Sequence, residues 1–489
     1  MPSKGRGIIK RIHEILAKKE ISCKELTQKY IDEIEKSDLN AYVTVCAEKA
    51  LNDSEKVDEK INSGEQIDFL EGVPMTLKDL ISTSGIETTC CSKILAGYKP
   101  IYDATVWTKL QKKGAILLGK TNMDEFAMGS ACETSCIGGA KNPHNKNHVS
   151  GGSSGGGAAA VAGNIAAYAI GSDTGGSIRQ PASFCGIVGL KPTYGAVSRY
   201  GIVAYASGFD QIGPIAHTAE DAALIFDAIS GHDPKDSTSN SAPIVGTYAH
   251  LEDDVNNLKI GIPKEYYDGV DDEIKLAIEK AMKIYESLGA HVEYFDFPEI
   301  KYSLPVYYIL ACAEASSNLA RFNGVRYGPR AEKYQDINEM ICKTRSKYFG
   351  EEVKRRILLG NYVLSSGYYD AYYKKAQGLR ALIISAFELA FERFDVLLTP
   401  TSPVTAFPAN KNYSNPQEVY LADICTVPVN TVGIPGVSVP CGFDAQNLPI
   451  GMQILGPKFS EAKLLNVAHQ YELATNYANN KTLDMGVRI

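Results

Sequence analysis

A basic excess is missing from this 489-residue chain: 50 lysines and arginines face 57 aspartates and glutamates, giving a net charge of −7 with histidine neutral. A protein that grips nucleic acid unaided needs the reverse balance, so any such contact is expected on a partner. Long hydrophobic runs are missing too. The longest uncharged segment, 151–172, is rich in Gly, Ala and Ser, too weakly apolar and too broken by glycine to span a bilayer. The start, MPSKGRGIIKRIHEILAKKE, is charged throughout and has no apolar stretch followed by small residues, so no signal peptide is expected there and the expected location is cytoplasmic. Regular cysteine spacing is missing: an odd count of eleven scattered residues predicts reduced thiols rather than a disulfide framework. Cys132 and Cys136 stand four apart, but no second pair or histidine cluster completes a tetrahedral set, so no metal is expected.

What is present is an ordinary globular mixture. Hydrophobic residues at 44% and charged residues at 22% supply a large core and exclude disorder as the main state. Short apolar runs recur at Ala115–Leu118, Ile165–Ile170, Ile260–Ile262, His291–Phe295, Val396–Leu398, Gly436–Val439 and Met452–Leu455. Amphipathic stretches at 104–113, 218–229, 272–288 and 460–475 alternate with them. Residues 7–36 read as two helices, with Ser22 as N-cap of the second and Glu25 three residues on. The alternation predicts an α/β fold: a central mixed sheet flanked by helices. A tyrosine-rich block at about 305–393 has little strand signal and is expected to form a helical layer or cap. The one linker-like stretch, His232–Pro243, is short, so a single domain over 1–489 is expected, with its core at about 7–475.

Three motifs compete for the chemistry. Gly114-Ala-Ile-Leu-Leu-Gly119-Lys120-Thr121 matches the phosphate-loop pattern letter for letter. Its four central residues read as a buried strand, whose N–H groups would already sit in a ladder, so a polar turn after a strand is expected, and substitution of Lys120 should be mild. Gly151-Gly-Ser153-Ser154-Gly-Gly-Gly157 satisfies the nucleophile-elbow pattern twice, but the strand that should precede it is missing. Taken alone, it reads first as a flexible glycine loop capping the Ala-rich helix 158–163. Downstream, the apolar run 165–170 leads into Gly171-Ser-Asp173-Thr174-Gly175-Gly176-Ser177-Ile178-Arg179-Gln-Pro181, so a strand delivers a serine to a glycine-rich turn. Adjacent glycines let consecutive N–H groups face one side, as an oxyanion requires; a structural turn with Asp173 paired to Arg179 is the other reading. Lys78, preceded by six uncharged residues, could enter an apolar setting and serve as a neutral base, or it could be an ordinary strand-end lysine.

Lys78, Ser153 and Ser177, spaced 75 and 24 residues apart within these motifs, make the chain resemble the amidase-signature family over about residues 7–475. Two positions depart from the family pattern, Ser150 where proline is common and Gly157 where serine is common. The resemblance implies a single α/β/α domain around a mixed sheet, and amide hydrolysis with Ser177 as nucleophile. Ser153, after an unusual cis peptide bond, would relay protons, and Lys78 would be the base. The N–H groups of Thr174, Gly175, Gly176 and Ser177 would hold the oxyanion.

Segments 121–135, 171–201, 314–328, 351–377 and the stretch to Asp423 further resemble the glutaminase subunits of tRNA-dependent amidotransferases, a branch of that family. That likeness implies glutamine as substrate. Arg356 would grip its carboxylate, Asp423 its ammonium, Tyr307 would orient it and Gly129 would add a backbone contact. It also implies a B subunit that uses ATP and Mg²⁺ on misacylated Glu-tRNA(Gln), in some complexes Asp-tRNA(Asn), and a small C subunit clasping the pair. No cofactor is expected on this chain. A free-standing amidase for other amides, and a nucleotide-binding scaffold built on Gly114–Thr121, remain as alternatives.

Overall fold

The computed structural model describes residues 7–241, 244, 246–410 and 417–475. Eleven strands form one sheet. They are β1 (Tyr42–Val45), β2 (Pro74–Lys78), β3 (Ile116–Thr121), β4 (Tyr168–Asp173), β5 (Val188–Lys191), β6 (Gln211–Ala216), β7 (Lys259–Pro263), β8 (His291–Phe295), β9 (Val396–Pro400), β10 (Gly436–Phe443) and β11 (Pro449–Leu455). Their order is β1-β3-β2-β4-β6-β5-β10-β11-β9-β7-β8. The sheet is mixed: β2 lies parallel to both β3 and β4, and β7 parallel to β8 and β9, whereas the pairs through β6, β5, β10 and β11 are antiparallel.

All seven apolar runs became strands, and the four amphipathic stretches became helices Thr105–Lys112, Ala219–Ile229, Asp272–Ser287 and Glu461–Thr475. Ser22 closes a capping box with Glu25 at the start of helix Cys23–Lys36. Strands β1, β2, β5 and β6 were not read from the sequence. Each is short, and β2 and β6 carry proline and polar residues, so neither gives an unbroken apolar run.

The tyrosine-rich block folds as helices Ser303–Asn318, Ile337–Tyr348, Glu351–Leu364 and Lys375–Arg393, with a π turn at Asp370–Lys374. The stretch from His232 is tied to the body rather than free, as far as it is described. Asp233 accepts hydrogen bonds from Thr105 and Ser198, and Asp236 from the Arg199 N–H. Residues 242 and 243 of it lie outside the described residues.

All eleven cysteines are free thiols. Among the described residues no helix is long and apolar enough to cross a membrane.

For the site, the central fact is that β2 and β4 are neighbours, aligned so that Leu77 pairs with Ile170. Being parallel, they end on the same side, and in open sheets with parallel strands the crevice beyond the carboxyl ends is where ligands sit. β2 ends on Lys78. β4 ends on Asp173 and runs straight into the turn that carries Ser177.

Candidate active site

Lys78 is 1% exposed. Its Nζ lies 2.7 Å from Ser153 Oγ, 2.8 Å from Ser154 Oγ, 3.0 Å from Ser172 Oγ and 3.3 Å from the Ser172 carbonyl. The setting is therefore dry but not apolar: it is a nest of hydroxyls. Burial pushes the Lys78 pKa down to about 8, with the charge of Asp124 the largest influence pulling it back up. The hydrogen inventory then narrows which hydroxyls can donate to a neutral Lys78 amine to those of Ser153 and Ser172. Ser154 donates its hydroxyl hydrogen to the Ser172 carbonyl at 3.1 Å, so towards Lys78 it can only accept. That carbonyl also only accepts. A neutral amine has two N–H donors for such acceptors and one lone pair, which is left to face a hydroxyl, and Ser153 is the shortest contact.

The two serine segments are stitched together. The Ser154 N–H donates to the Ser177 carbonyl at 3.1 Å, and the Asp124 N–H to the Ser153 carbonyl at 3.2 Å. The Gly152–Ser153 peptide bond is cis. Ser177 is 7% exposed and sits two residues before helix Arg179–Cys185. The glycine run 155–157 opens helix Gly155–Ala162 rather than forming a free loop, with the sequence-read helix 158–163 as its later part.

The turn after β4 is held by Asp173. Burial pushes its carboxyl up, but the Arg179 guanidinium, bonded at 3.0 Å through both Nε and Nη2, outweighs this and holds it near 2. The structural pairing weighed from the sequence therefore exists, and it coexists with a placed serine. Asp173 also corrects the donor set. Its Oδ1 accepts the Gly176 N–H at 2.8 Å, so that amide is already committed to a carboxylate. The amides of Thr174, Gly175 and Ser177 are left for an oxyanion. Thr174 is anchored by its own hydroxyl, which donates to buried Asp210 at 2.7 Å. Tyr307 packs onto this turn so closely that a Cβ on Gly175 would lie 2.7 Å from its hydroxyl.

A cavity of about 350 Å³ is lined in part by Asp124, whose N–H bonds the Ser153 carbonyl, and by Gly129, Ser130, Glu352, Arg355, Arg356 and Tyr420. Arg356 is 4% exposed, unlike the ordinary surface cation that its Lys-Arg-Arg run also allows. Its Nε donates to Glu352 at 2.7 Å and its Nη1 to the Tyr205 hydroxyl at 2.7 Å. The rings of Tyr308, Tyr420 and Tyr205 surround the guanidinium at 5.2–5.6 Å from its carbon. Two of its five N–H groups are thus occupied and the cation is held in place.

Asp423 does not line this cavity itself. It stands behind Ser130, whose hydroxyl donates to Asp423 Oδ2 at 2.5 Å, and burial raises its pKa to about 7. Gly129 has to be glycine, because a Cβ there would come within 2.3 Å of the Asp124 carboxyl carbon.

The phosphate-loop match is a strand through its last three residues. Gly119, Lys120 and Thr121 belong to β3 and not to a turn, and Lys120, fully buried, donates to the Ile81 carbonyl and to Thr88. Sequence reading missed Ser154 and Ser172 around Lys78, and Glu352, Tyr205, Tyr308 and Tyr420 around Arg356. Only Glu352, four residues before Arg356 on one helix, left a readable signal.

The family model for amidases matches residues 25–465. The chain belongs to the amidase family. It is 55% identical over 471 residues to the A subunit of the glutamyl-tRNA(Gln) amidotransferase of Carboxydothermus hydrogenoformans, covering 96% of this chain and 97% of that one. It is 52% identical over 472 residues to the corresponding protein of Thermosynechococcus vestitus, covering 96% and 98%. Among solved structures, the A subunit of the glutamyl-tRNA(Gln) amidotransferase of Thermotoga maritima superposes with a TM-score of 0.78 at 38% identity, over 96% of this chain and 94% of that one. A bacterial aryl acylamidase of the amidase-signature family superposes with a TM-score of 0.84 at 26% identity, over 98% of each chain.

Proposed function

We propose that this amidase-family chain is the glutamine-hydrolysing subunit of a tRNA-dependent amidotransferase. Its role is to release ammonia for converting Glu-tRNA(Gln) to Gln-tRNA(Gln). The observation that carries the reading is the buried Lys78 amine 2.7 Å from Ser153, linked through Asp124 to a cavity that holds a fixed cation. The similarity to A subunits over nearly the whole chain supports the choice of substrate.

In this reading neutral Lys78 takes a proton from Ser153 as Ser153 takes one from Ser177, and Ser177 Oγ bonds to the amide carbon of glutamine. The amides of Thr174, Gly175 and Ser177 hold the oxyanion; losing one such donor commonly costs about 3 kcal/mol. The proton returns through Ser153 to the leaving nitrogen, ammonia departs, and water hydrolyses the acyl-enzyme. Arg356 grips the α-carboxylate, Asp423 with Ser130 attracts the α-ammonium, Gly129 lines the pocket, and Tyr307 braces the oxyanion turn. The partners would be a B subunit that binds the misacylated tRNA and uses ATP and Mg²⁺, and a small C subunit. The setting would be the cytoplasm.

The deciding experiment co-purifies the chain with candidate B and C subunits and follows glutamine-dependent amidation of Glu-tRNA(Gln), with Asp-tRNA(Asn) as a second substrate. Ser177→Ala should abolish amidation from glutamine and leave amidation from added ammonium salts intact. Glutamine turnover that survives in Ser177→Ala removes it as nucleophile. Broad hydrolysis of neutral amides by the chain alone, unchanged by Arg356→Ala, would favour a free-standing amidase.

A further inference from the structure

Gln180 is fully buried on helix Arg179–Cys185 and belongs to neither the proton relay nor the substrate pocket. Its side-chain amide joins the two. Oε1 accepts the N–H of Gly152 at 2.9 Å, and Nε2 donates to the carbonyl of Ser130 at 2.8 Å. The partners decide which end of the amide is which, since a backbone N–H needs an acceptor and a backbone carbonyl needs a donor. Gly152 is bonded directly to Ser153, and the Ser130 hydroxyl donates to Asp423. Contact around Gln180 is close: a Cβ on Gly151 would lie 2.6 Å from its Oε1. A connected path therefore runs from Asp423 through the hydroxyl and carbonyl of Ser130 and through Gln180 to the Gly152 N–H, one residue before Ser153.

We propose that Gln180 is a positioning residue that couples occupancy of the Asp423 end of the pocket to the alignment of Ser153. This rests on the glutaminase reading above. An α-ammonium drawn to Asp423 competes with the Ser130 hydroxyl for the same carboxylate. The resulting shift of Ser130 reaches Gly152 through a side chain that has a donor at one end and an acceptor at the other. A substrate with the same amide and carboxylate but no ammonium leaves the chain unengaged. The device makes turnover, and not only binding, sensitive to the ammonium.

The test measures ammonia release by the assembled complex from glutamine and from glutaramate, which lacks only the α-ammonium. The variants are Gln180→Glu and Ser130→Ala. In the wild type, kcat for glutamine should exceed that for glutaramate. Gln180→Glu keeps the acceptor for Gly152 but sets a carboxylate oxygen against the Ser130 carbonyl. Its kcat for glutamine should drop about 100-fold, the size of a small misplacement of a reacting group, with little change for glutaramate.

Protonation of the introduced carboxyl restores a donor at that end. The ratio of variant to wild-type kcat for glutamine should therefore rise as pH falls while that for glutaramate stays level, whereas a merely structural role would move both. Ser130→Ala breaks the same chain at its other joint and should also erase the preference for glutamine, whether or not Gln180→Glu folds. If both variants keep the wild-type preference, or if Gln180→Glu slows both substrates equally at every pH, the coupling is wrong and the glutaminase reading stands. A wild-type complex that releases no ammonia from glutamine overturns the glutaminase reading instead.

Discussion

At the scale of single residues, two buried titrations set the expected pH behaviour. Lys78, with a pKa brought down to about 8 by burial, is an ammonium below that pH and cannot accept a proton, so kcat/KM for glutamine should rise with pH and level off above about 8. Asp423, raised to about 7 by burial, is neutral below that pH and loses its attraction for an ammonium, so KM should climb as pH falls through 7. The two effects multiply, giving an acid limb steeper than tenfold per pH unit. Asp124→Asn removes the main negative charge favouring the Lys78 ammonium and should move the limb to lower pH. A profile flat from pH 6 to 9 would exclude Lys78 as base.

Lys120 bears on the fold and not on ammonia release. Its substitution should leave the relay untouched but is not mild for the fold. The amine is fully buried 3.8 Å from Asp79, whose Oδ1 has no other partner. Lys120→Ala should cost about 3 kcal/mol, as breaking a buried charge pair does, read as a lower denaturation midpoint.

At the scale of elements, strand ends and helix starts do the positioning. β2 and β4 bring Lys78 and the Ser177 turn to one edge through parallel pairing alone. The first helix, Ile8–Ala17, is fastened from outside: Asp221 accepts the N–H groups of Ile8 and Ile9 at 3.1 and 2.9 Å, and Glu220 accepts that of Gly7 at 2.6 Å. These are amides that no turn of their own helix can satisfy. Asp221→Ala should weaken this anchor by about 1–2 kcal/mol, the usual cost of a lost cap. Hydrogen exchange should then quicken over residues 8–17 and stay unchanged in β2 and β4. Unaltered exchange in the helix would mean that its apolar face, Ile8, Ile9, Ile12 and Leu16, holds it unaided.

At the scale of the whole molecule, one sheet and a helical layer divide the work. The sheet carries Lys78 and leads into the turn that holds Ser177, and the tyrosine-rich layer carries Tyr307 and Arg356. The sequence by itself determined the alternation of strands and helices, because apolar spacing and turn residues are local signals. It also determined the three motifs, because a glycine run and a strand-to-serine turn are contiguous in the chain. It could not reveal β5 or β6, whose short runs gain their strand character from neighbours such as β10 and β4.

Only the tertiary structure decided which environment each charge has. Lys78 ends β2, Lys120 is the penultimate residue of β3 and both are buried, yet one faces three hydroxyls and the other faces a carbonyl, a threonine and an aspartate. The tertiary structure also turned the Gly176 amide towards Asp173 and brought Gln180 between Ser130 and Gly152. Apart from the Gly176–Asp173 bond, which spans three residues, these partners lie tens of positions apart in the chain, and no local pattern records them.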